Sequence, residues 1–305
     1  MQDNEPKSLI SPYAISNLGA CSAGISVQTK YGCTLPLSQD DIVFPSERDR
    51  SKFTSQLIRS PSGRLFTLEP NLSTQHVQLG EILPNGNREA ILELPLDDWR
   101  LSKILTSRNG NHIWWLGQNK AMVVDTKLKL RTQTISTSEI DLIETQQYLV
   151  LGDQLAILKP KHEPHIGWEM RLLDNSTGQS KSILEFKDTA VLRFELHESG
   201  RIVFSGRNEL HNPDSGFLRL LDGDSLKTIW SNDSLIPFYF SLSGEFVILT
   251  QGRGLVIVDV KTGQVRKQIE FGNQEIYRVA SNADRIWCLG DDRRTIYILK
   301  DVKFD

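Results

Sequence analysis

Surplus positive charge is the first thing this 305-residue chain lacks. Its 35 Lys and Arg face 38 Asp and Glu, giving a formal net charge of −3 and a pI near 6.1. Such a chain has no global field for tracking a phosphate backbone, so direct nucleic-acid contact is not expected. Cysteine is scarce as well: Cys21, Cys33 and Cys288 form neither a disulfide framework nor a metal-ligand spacing. No run approaches the ~18 apolar residues that span a bilayer. The opening MQDNEPKSL has neither the basic start nor the apolar stretch of a secretion signal. A cytoplasmic protein without a membrane partner is the expectation. Sustained apolar spacing at i, i+3 and i+4 is almost missing, which excludes a helical architecture.

What recurs instead is a run of four to seven residues rich in Val, Ile, Leu, Phe, Tyr or Trp, then a turn, then another run. The turns Ser60-Pro-Ser-Gly63, Ser107-Arg-Asn-Gly110, Glu198-Ser-Gly200 and Ser243-Gly244 precede RLFTLEP, NHIWWLG, RIVFSGR and EFVILTQ. Further along each repeat an alternating strand ends in Asp, and a Gly or a substitute follows four residues later. Asp174 with Gly178 and Asp259 with Gly263 are the clearest pairs, and Asp125 and Asp222 are degenerate copies. The carboxylate suits the backbone N–H groups that follow it, and Gly supplies the positive φ that closes a hairpin. These aspartates are 49, 48 and 37 residues apart (174 − 125, 222 − 174, 259 − 222). That is close to the ~40–50-residue period of four-stranded blades.

The repeats resemble those of the β-propeller superfamily, nearest to the D-x-x-T-G type of quinoprotein-like and YVTN-like propellers. Asp174-Asn-Ser-Thr-Gly178, Asp259-Val-Lys-Thr-Gly263 and Trp230, eight residues after Asp222, carry the resemblance. No Trp is followed by Asp and there is no Gly-Gly pair, so WD-repeat and kelch signatures are absent. Thr-Gly occurs at only two of these turns, which argues against a bound quinone, and no cofactor is expected. The resemblance implies an all-β fold, a single β-propeller domain over residues 1–305. Six repeats are recognisable from residue 51 onward. Residues 1–7 read as disordered, and 8–50 as a closing strand with a possible degenerate blade. The last repeat ends at Asp305 about where its fourth strand should begin, so a strand from residues 8–37 is predicted to complete it. The length favours seven blades over six.

Chemistry is harder to find. There is no Gly-x-Ser-x-Gly elbow, no activated cysteine and no phosphate-cradling loop before a helix. The pairs Asp40-Asp41, Asp97-Asp98 and Asp291-Asp292 read as strand terminators, and the inner-strand acids Glu144 and Glu195 are too few to define a catalytic site. Trp114-Trp115 is expected to pack with one face between blades and the other more exposed. Two connections between second and third strands look enlarged, Pro160–Gly167 and Asn208–Ser215. They carry His162, Glu163, His165, Glu209, His211 and Asp214, with Arg207 at the edge, a candidate partner-binding rim. A metal held by His162, His165 and His211 is the less specific alternative. The expected function is therefore a non-enzymatic scaffold that binds a protein partner. Alternatives are a propeller hydrolase or lyase with its site at the mouth of the channel, and a subunit of a nucleic-acid-associated complex.

Overall fold

The computed structural model of the chain describes residues 7–11, 14–21, 24–29, 32–33, 56–71, 73–83, 85, 87–95, 103–142, 146–161, 167–209, 212, 215–235, 239–281 and 285–300. All regular structure among them is strand. After β1 (Lys7–Ile10), strands β2 (Ile15–Cys21), β3 (Gly24–Thr29) and β4 (Gly32–Cys33) make a three-stranded sheet. Five antiparallel sheets of four consecutive strands follow. The first holds β5 (Gln56–Arg59), β6 (Leu65–Asn71), β7 (His76–Ile82) and β8 (Arg88–Pro95). The second holds β9 (Lys103–Thr106), β10 (His112–Gly117), β11 (Lys120–Asp125) and β12 (Leu130–Ser136). The third holds β13 (Gln147–Leu151), β14 (Gln154–Lys161), β15 (Gly167–Leu173) and β16 (Ser180–Lys187). The fourth holds β17 (Ala190–Leu196), β18 (Ile202–Arg207), β19 (Gly216–Leu221) and β20 (Thr228–Asn232). The fifth holds β21 (Phe240–Ser243), β22 (Phe246–Gln251), β23 (Gly254–Asp259) and β24 (Val265–Glu270). The chain then runs through β25 (Ile276–Ser281), β26 (Arg285–Gly290) and β27 (Thr295–Lys300).

That sixth blade is completed from the N-terminus. Strand β1 pairs antiparallel with β27, setting Lys7 opposite Ile298 and Ile10 opposite Thr295. The predicted closing strand is thus present, starting one residue earlier than expected, at Lys7. Six four-stranded blades are seen, against the seven that length favoured. The N-terminal segment spends its first strand on the edge of β27, and β2 to β4 supply three strands. Strand β2 was not anticipated, and of the possible degenerate blade read over residues 8–50, residues 34–50 lie outside the described residues.

The chain divides into two compact units, one of residues 58–236 and one of residues 1–57 with 237–305. Within the first, apolar side chains of successive blades meet in three layers. Phe66, Leu68 and Leu79 pack with Ile113, Trp115 and Val124. Trp114, Leu116 and Val123 meet Tyr148, Val150 and Ile157. Leu158 and Met170 meet Phe194, Phe204 and Phe217. In the second unit Ile248 and Ile257 face Val279, Ile286 and Cys288, while Trp287, Ile296 and Ile298 face Ile15, Leu18 and Val27. Each large apolar side chain so buried contributes about 1.5–3 kcal/mol, so a blade depends on its neighbour for stability. Second and third strands are covered on both faces. This corrects the expectation for the tryptophan pair: Trp114 is 1% and Trp115 2% exposed, one in each flanking layer. Fourth strands are polar by contrast, and most of β12 and β24 faces solvent.

The Asp turns between third and fourth strands fold as the chemistry requires. Asp174 Oδ1 accepts from the Ser176 and Thr177 N–H groups at 2.7 and 3.2 Å, and Asp259 Oδ1 from Lys261 and Thr262 at 2.8 and 2.9 Å. Four residues on, Gly178 and Gly263 have φ of 68° and 71°, and Lys129 and Leu226 take the same left-handed conformation at 54° and 56°.

Candidate functional site

Antiparallel strands place the start of the first strand and the connection between second and third strands at the same end of a blade. In the fourth blade that connection is residues 208–215, where β10 and β11 manage with the turn Gln118-Asn119. The described residues of the longer connection are bonded to one another. The Asn208 N–H donates to the Ser215 carbonyl at 2.7 Å, and Asn212 donates to the Glu209 carbonyl at 3.2 Å. The Glu209 N–H reaches Ser215 Oγ at 3.0 Å, and the Glu209 carboxylate accepts from Asn212 Nδ2 at 3.2 Å. From β19, Arg219 donates to Asn208 Oδ1 at 2.8 Å. Short polar side chains that satisfy nearby backbone groups make this possible.

Of the predicted rim residues, Arg207 closes β18 opposite Ala190 and Gly216, half-buried, and Glu209 stands exposed on the connection. His211 and Asp214 belong to the same connection but lie outside the described residues, as do His162, Glu163 and His165, in the connection between β14 and β15. The two connections hold equivalent places in consecutive blades. Among the described residues no group of three His, Cys, Asp or Glu could hold a metal, and the three-histidine arrangement falls outside them.

A second cluster, which sequence reasoning missed, sits at the corresponding end of the sixth blade. Ile276 pairs with Gly290 and Arg278 with Leu289, so Tyr277 is the extra residue of a β-bulge. A bulge interrupts the strict alternation of side chains and re-aims them. Here the Arg278 guanidinium lies 4.8 Å from the Tyr239 ring and 5.4 Å from that of Tyr277. The two aromatic rings are 5.3 Å apart and tilted, and the Tyr239 hydroxyl points at that of Tyr277 from 3.5 Å. Arg293, in the connection between β26 and β27, places its guanidinium 4.5 Å over Tyr277 from the same end of the blade. Its backbone is held in the left-handed conformation, φ 54°, and its carbonyl accepts the Ile15 N–H at 2.7 Å. The hydrogen bond from Tyr239 draws the Tyr277 phenol below its ordinary pKa. Burial opposes this, and Arg278 and Arg293 reinforce it.

Other titratable groups have structural duties. Cys288 is fully buried, which pushes its thiol far above the reactive range. His197 Nδ1 accepts from the Ser199 N–H at 3.1 Å and closes the turn between β17 and β18. Glu195 is bound by Arg193 two residues earlier, at 2.6 Å from its Nε. Burial lowers the pKa of Lys103, whose ammonium lies 5.2 Å over the Tyr148 ring.

No family model and no curated protein matches this sequence. Solved structures do match. The β-propeller domain of the trilobed protease from Pyrococcus furiosus, described as having an open velcro topology, aligns at a TM-score of 0.60 and 13% identity, covering 96% of this chain and 99% of that one. The β-propeller domain of Cps50 (Swd1) from Myceliophthora thermophila gives 0.57 and 14%, over 97% and 99% of the two chains. Virginiamycin B lyase from Staphylococcus aureus gives 0.54 and 11%, over 96% and 98%. At such identities these likenesses show the fold, a β-propeller, and leave function to the site itself.

Proposed function

We propose that this β-propeller is a non-enzymatic recognition subunit, resident in the cytoplasm, that binds a protein partner through the blade ends bearing the connections 162–166 and 208–215. The observation that carries the reading is the bonding among Asn208, Glu209, Asn212 and Ser215. A connection held by its own hydrogen bonds presents Arg207 and Glu209 with little ordering left to pay on association. The partner is sought by co-purification with the intact chain and verified by affinity. Replacing His162, His165, Arg207 and His211 together with Ala should lower partner affinity by at least about tenfold, since hot-spot truncations typically cost more than 1 kcal/mol each, while unfolding stays unchanged. Undiminished binding by the folded variant would overturn the placement. Turnover of a small molecule that survives the replacement would support an enzyme with its chemistry on the first strands.

A further inference from the structure

The turns between third and fourth strands repeat closely enough to serve as controls for one another, and the second blade departs from the pattern. Three residues after Asp174, Asp222 and Asp259 stand Thr177, Ser225 and Thr262. Each hydroxyl accepts the N–H two residues further on, from Gln179, Lys227 and Gln264, at 3.3, 3.4 and 3.3 Å. After Asp125 the corresponding residues are Leu128 and Leu130. Asp125 Oδ1 still accepts from the Lys127 and Leu128 N–H groups at 2.8 Å each, so the turn keeps its backbone and gives up the hydroxyl bond. Between the leucines, Lys129 takes a φ of 54°, where Gly178 and Gly263 adopt the left-handed conformation without strain. Neither leucine is turned inward. Leu128 is 65% and Leu130 43% exposed, whereas Leu226, at the left-handed position of the fourth blade, packs on the layer between the third and fourth blades. Lys127 and Arg131 flank the leucines and are exposed, and Lys129 pairs with Glu89 of the first blade. Three cations thus alternate with two leucines at a turn that other blades build from hydroxyl, Gly and polar residues.

We infer that Leu128 and Leu130, between Lys127 and Arg131, form a second docking surface, which takes an apolar segment of a partner protein bordered by Asp or Glu. A turn that gives up a hydrogen bond and a glycine to expose two leucines gains nothing within the fold, so the gain lies in contact with another molecule. Cations on either side favour a partner of opposite charge and disfavour a basic one. The two bonds to Asp125 hold the turn before any partner arrives, which leaves little ordering on association. A lipid surface fits less well. Two leucine side chains hold fewer carbons than the single acyl chain that gives only marginal membrane binding. The same end of the next two blades carries Asp174, Asp222 and Asp224, which an anionic bilayer would repel. This turn lies at the end of the blades opposite the connections 162–166 and 208–215, so the surface stands or falls separately from the one proposed above.

The test is fluorescence anisotropy of a short labelled peptide alternating Leu and Glu, titrated with the intact chain, beside Leu–Lys and Ser–Glu peptides of the same length. The informative variant restores the repeat: Leu128→Thr, Lys129→Gly and Leu130→Gln together reproduce the Thr-Gly-Gln that follows Asp174 and Asp259. The Leu–Glu peptide should bind more tightly than either control, added salt should weaken it, and the restored variant should lose at least about tenfold in affinity. In denaturant unfolding that variant should be as stable as the parent or more so, since it regains a hydroxyl acceptor and a residue suited to positive φ. Replacing His162, His165, Arg207 and His211 with Ala should leave peptide binding unchanged, and a loss there would overturn the placement. Other overturning results are no binding of the Leu–Glu peptide at millimolar concentration, equal affinity in the restored variant, or preference for the Leu–Lys peptide. A fall in stability on restoring the repeat would assign the leucines to the fold and overturn the surface. Binding to phosphatidylserine vesicles without binding to the peptide would overturn it in favour of a lipid surface.

Discussion

The fourth and sixth blades open on the same device, a first strand bulged one residue before an arginine, and put it to different ends. In the fourth blade the bulge residue is Leu192, whose carbonyl accepts from Gln147 Nε2 at 3.1 Å, and the following arginine is held by Glu195. Charge is consumed inside the strand and the blade end is left to the connection 208–215. In the sixth blade the bulge residue is a tyrosine, the carboxylate is replaced by Ala280, and a second arginine arrives from the neighbouring connection. One repeat geometry thus yields a structural ion pair in one blade and a cationic, aromatic cluster in the other. The register shift before the arginine is the same in both blades, and the side chains around it differ.

The blades also differ in how they are completed, and breaking that difference should have the largest effect. The fourth blade takes β20 in sequence, whereas the sixth depends on β1. Removing residues 1–10 leaves β27 as an open edge beside Ile296 and Ile298, which are 0% and 2% exposed. A loss of about 3–5 kcal/mol is expected, the scale of emptying a large core site, measured by denaturant unfolding. Removing only residues 1–6 spares the paired strand and should change nothing. Equal midpoints for the full chain and the shorter one lacking residues 1–10 would show that the pairing of β1 with β27 does not hold the blade together.

The glycines facing the two bulges sharpen the contrast. Gly206 pairs with Val191 and Gly290 with Ile276. A Cβ on Gly206 would overlap the Ala190 carbonyl oxygen and stand 2.6 Å from the Phe217 ring. On Gly290 the nearest atoms are Asp292 Oδ1 at 3.3 Å and Tyr297 Cε2 at 3.4 Å, so a small displacement makes room. Gly206→Ala should therefore cost about 3 kcal/mol, the upper end of overpacking, and Gly290→Ala no more than about 1 kcal/mol. Similar costs in thermal unfolding would show that the two bulges are packed alike.

Much of this was legible before any coordinates. Alternating apolar runs punctuated by Gly and Asp turns announced the blades, because each strand has to bury its faces and each hairpin needs a left-handed residue. The missing fourth strand was predictable from the end of the chain. The cluster was not. Tyr239 and Tyr277 are 38 residues apart and meet only because first strands of successive blades converge. The bulge that aims Tyr277 and Arg278 together leaves no mark in composition, since Ile276-Tyr-Arg-Val279 reads as one more apolar run with a single charge in it. The tryptophan pair misled for a related reason: alternation assigns two faces but does not say that both are covered. Of the seven rim residues picked out with the long loops, Arg207 and Glu209 fall among the described residues, one closing β18 and the other on the connection that follows it.

Relieving the ion pair of the fourth blade is the next test of the comparison. Glu195→Ala leaves Arg193 beside Leu192 with no carboxylate two residues on, as at Arg278. Stability should fall by about 1 kcal/mol or less, as for a partly exposed pair. A loss well above that in denaturant unfolding would show that the pair is an essential part of the strand.

The smallest expected effect is a titration, and it bears on the tyrosines directly. Two tyrosines of the sixth blade should depart from ordinary behaviour in opposite directions. The hydrogen bond from Tyr239 and the neighbouring arginines lower the Tyr277 pKa against the effect of burial. Burial, followed by the charges of Asp292 and Asp291, raises that of Tyr297, whose ring packs on Phe271 at 5.6 Å. Tyrosinate absorbance should accordingly begin to rise below the ordinary phenol range, and one group should lag behind it. A group whose pKa is lower in the folded than in the unfolded chain binds fewer protons when folded. Tyr277 therefore adds stability as pH climbs from its folded value toward the unfolded one, and that contribution is lost as pH falls back through the folded value. Tyr297 has the reverse sign: as pH rises past the unfolded value, its reluctance to ionise costs stability. Arg293→Ala should move the early transition upward and leave the late one in place, because only Tyr277 lies beneath that guanidinium. A common shift of both would mean that the arginine acts through the general field of the blade, and the stacked geometry over Tyr277 would lose its explanatory role.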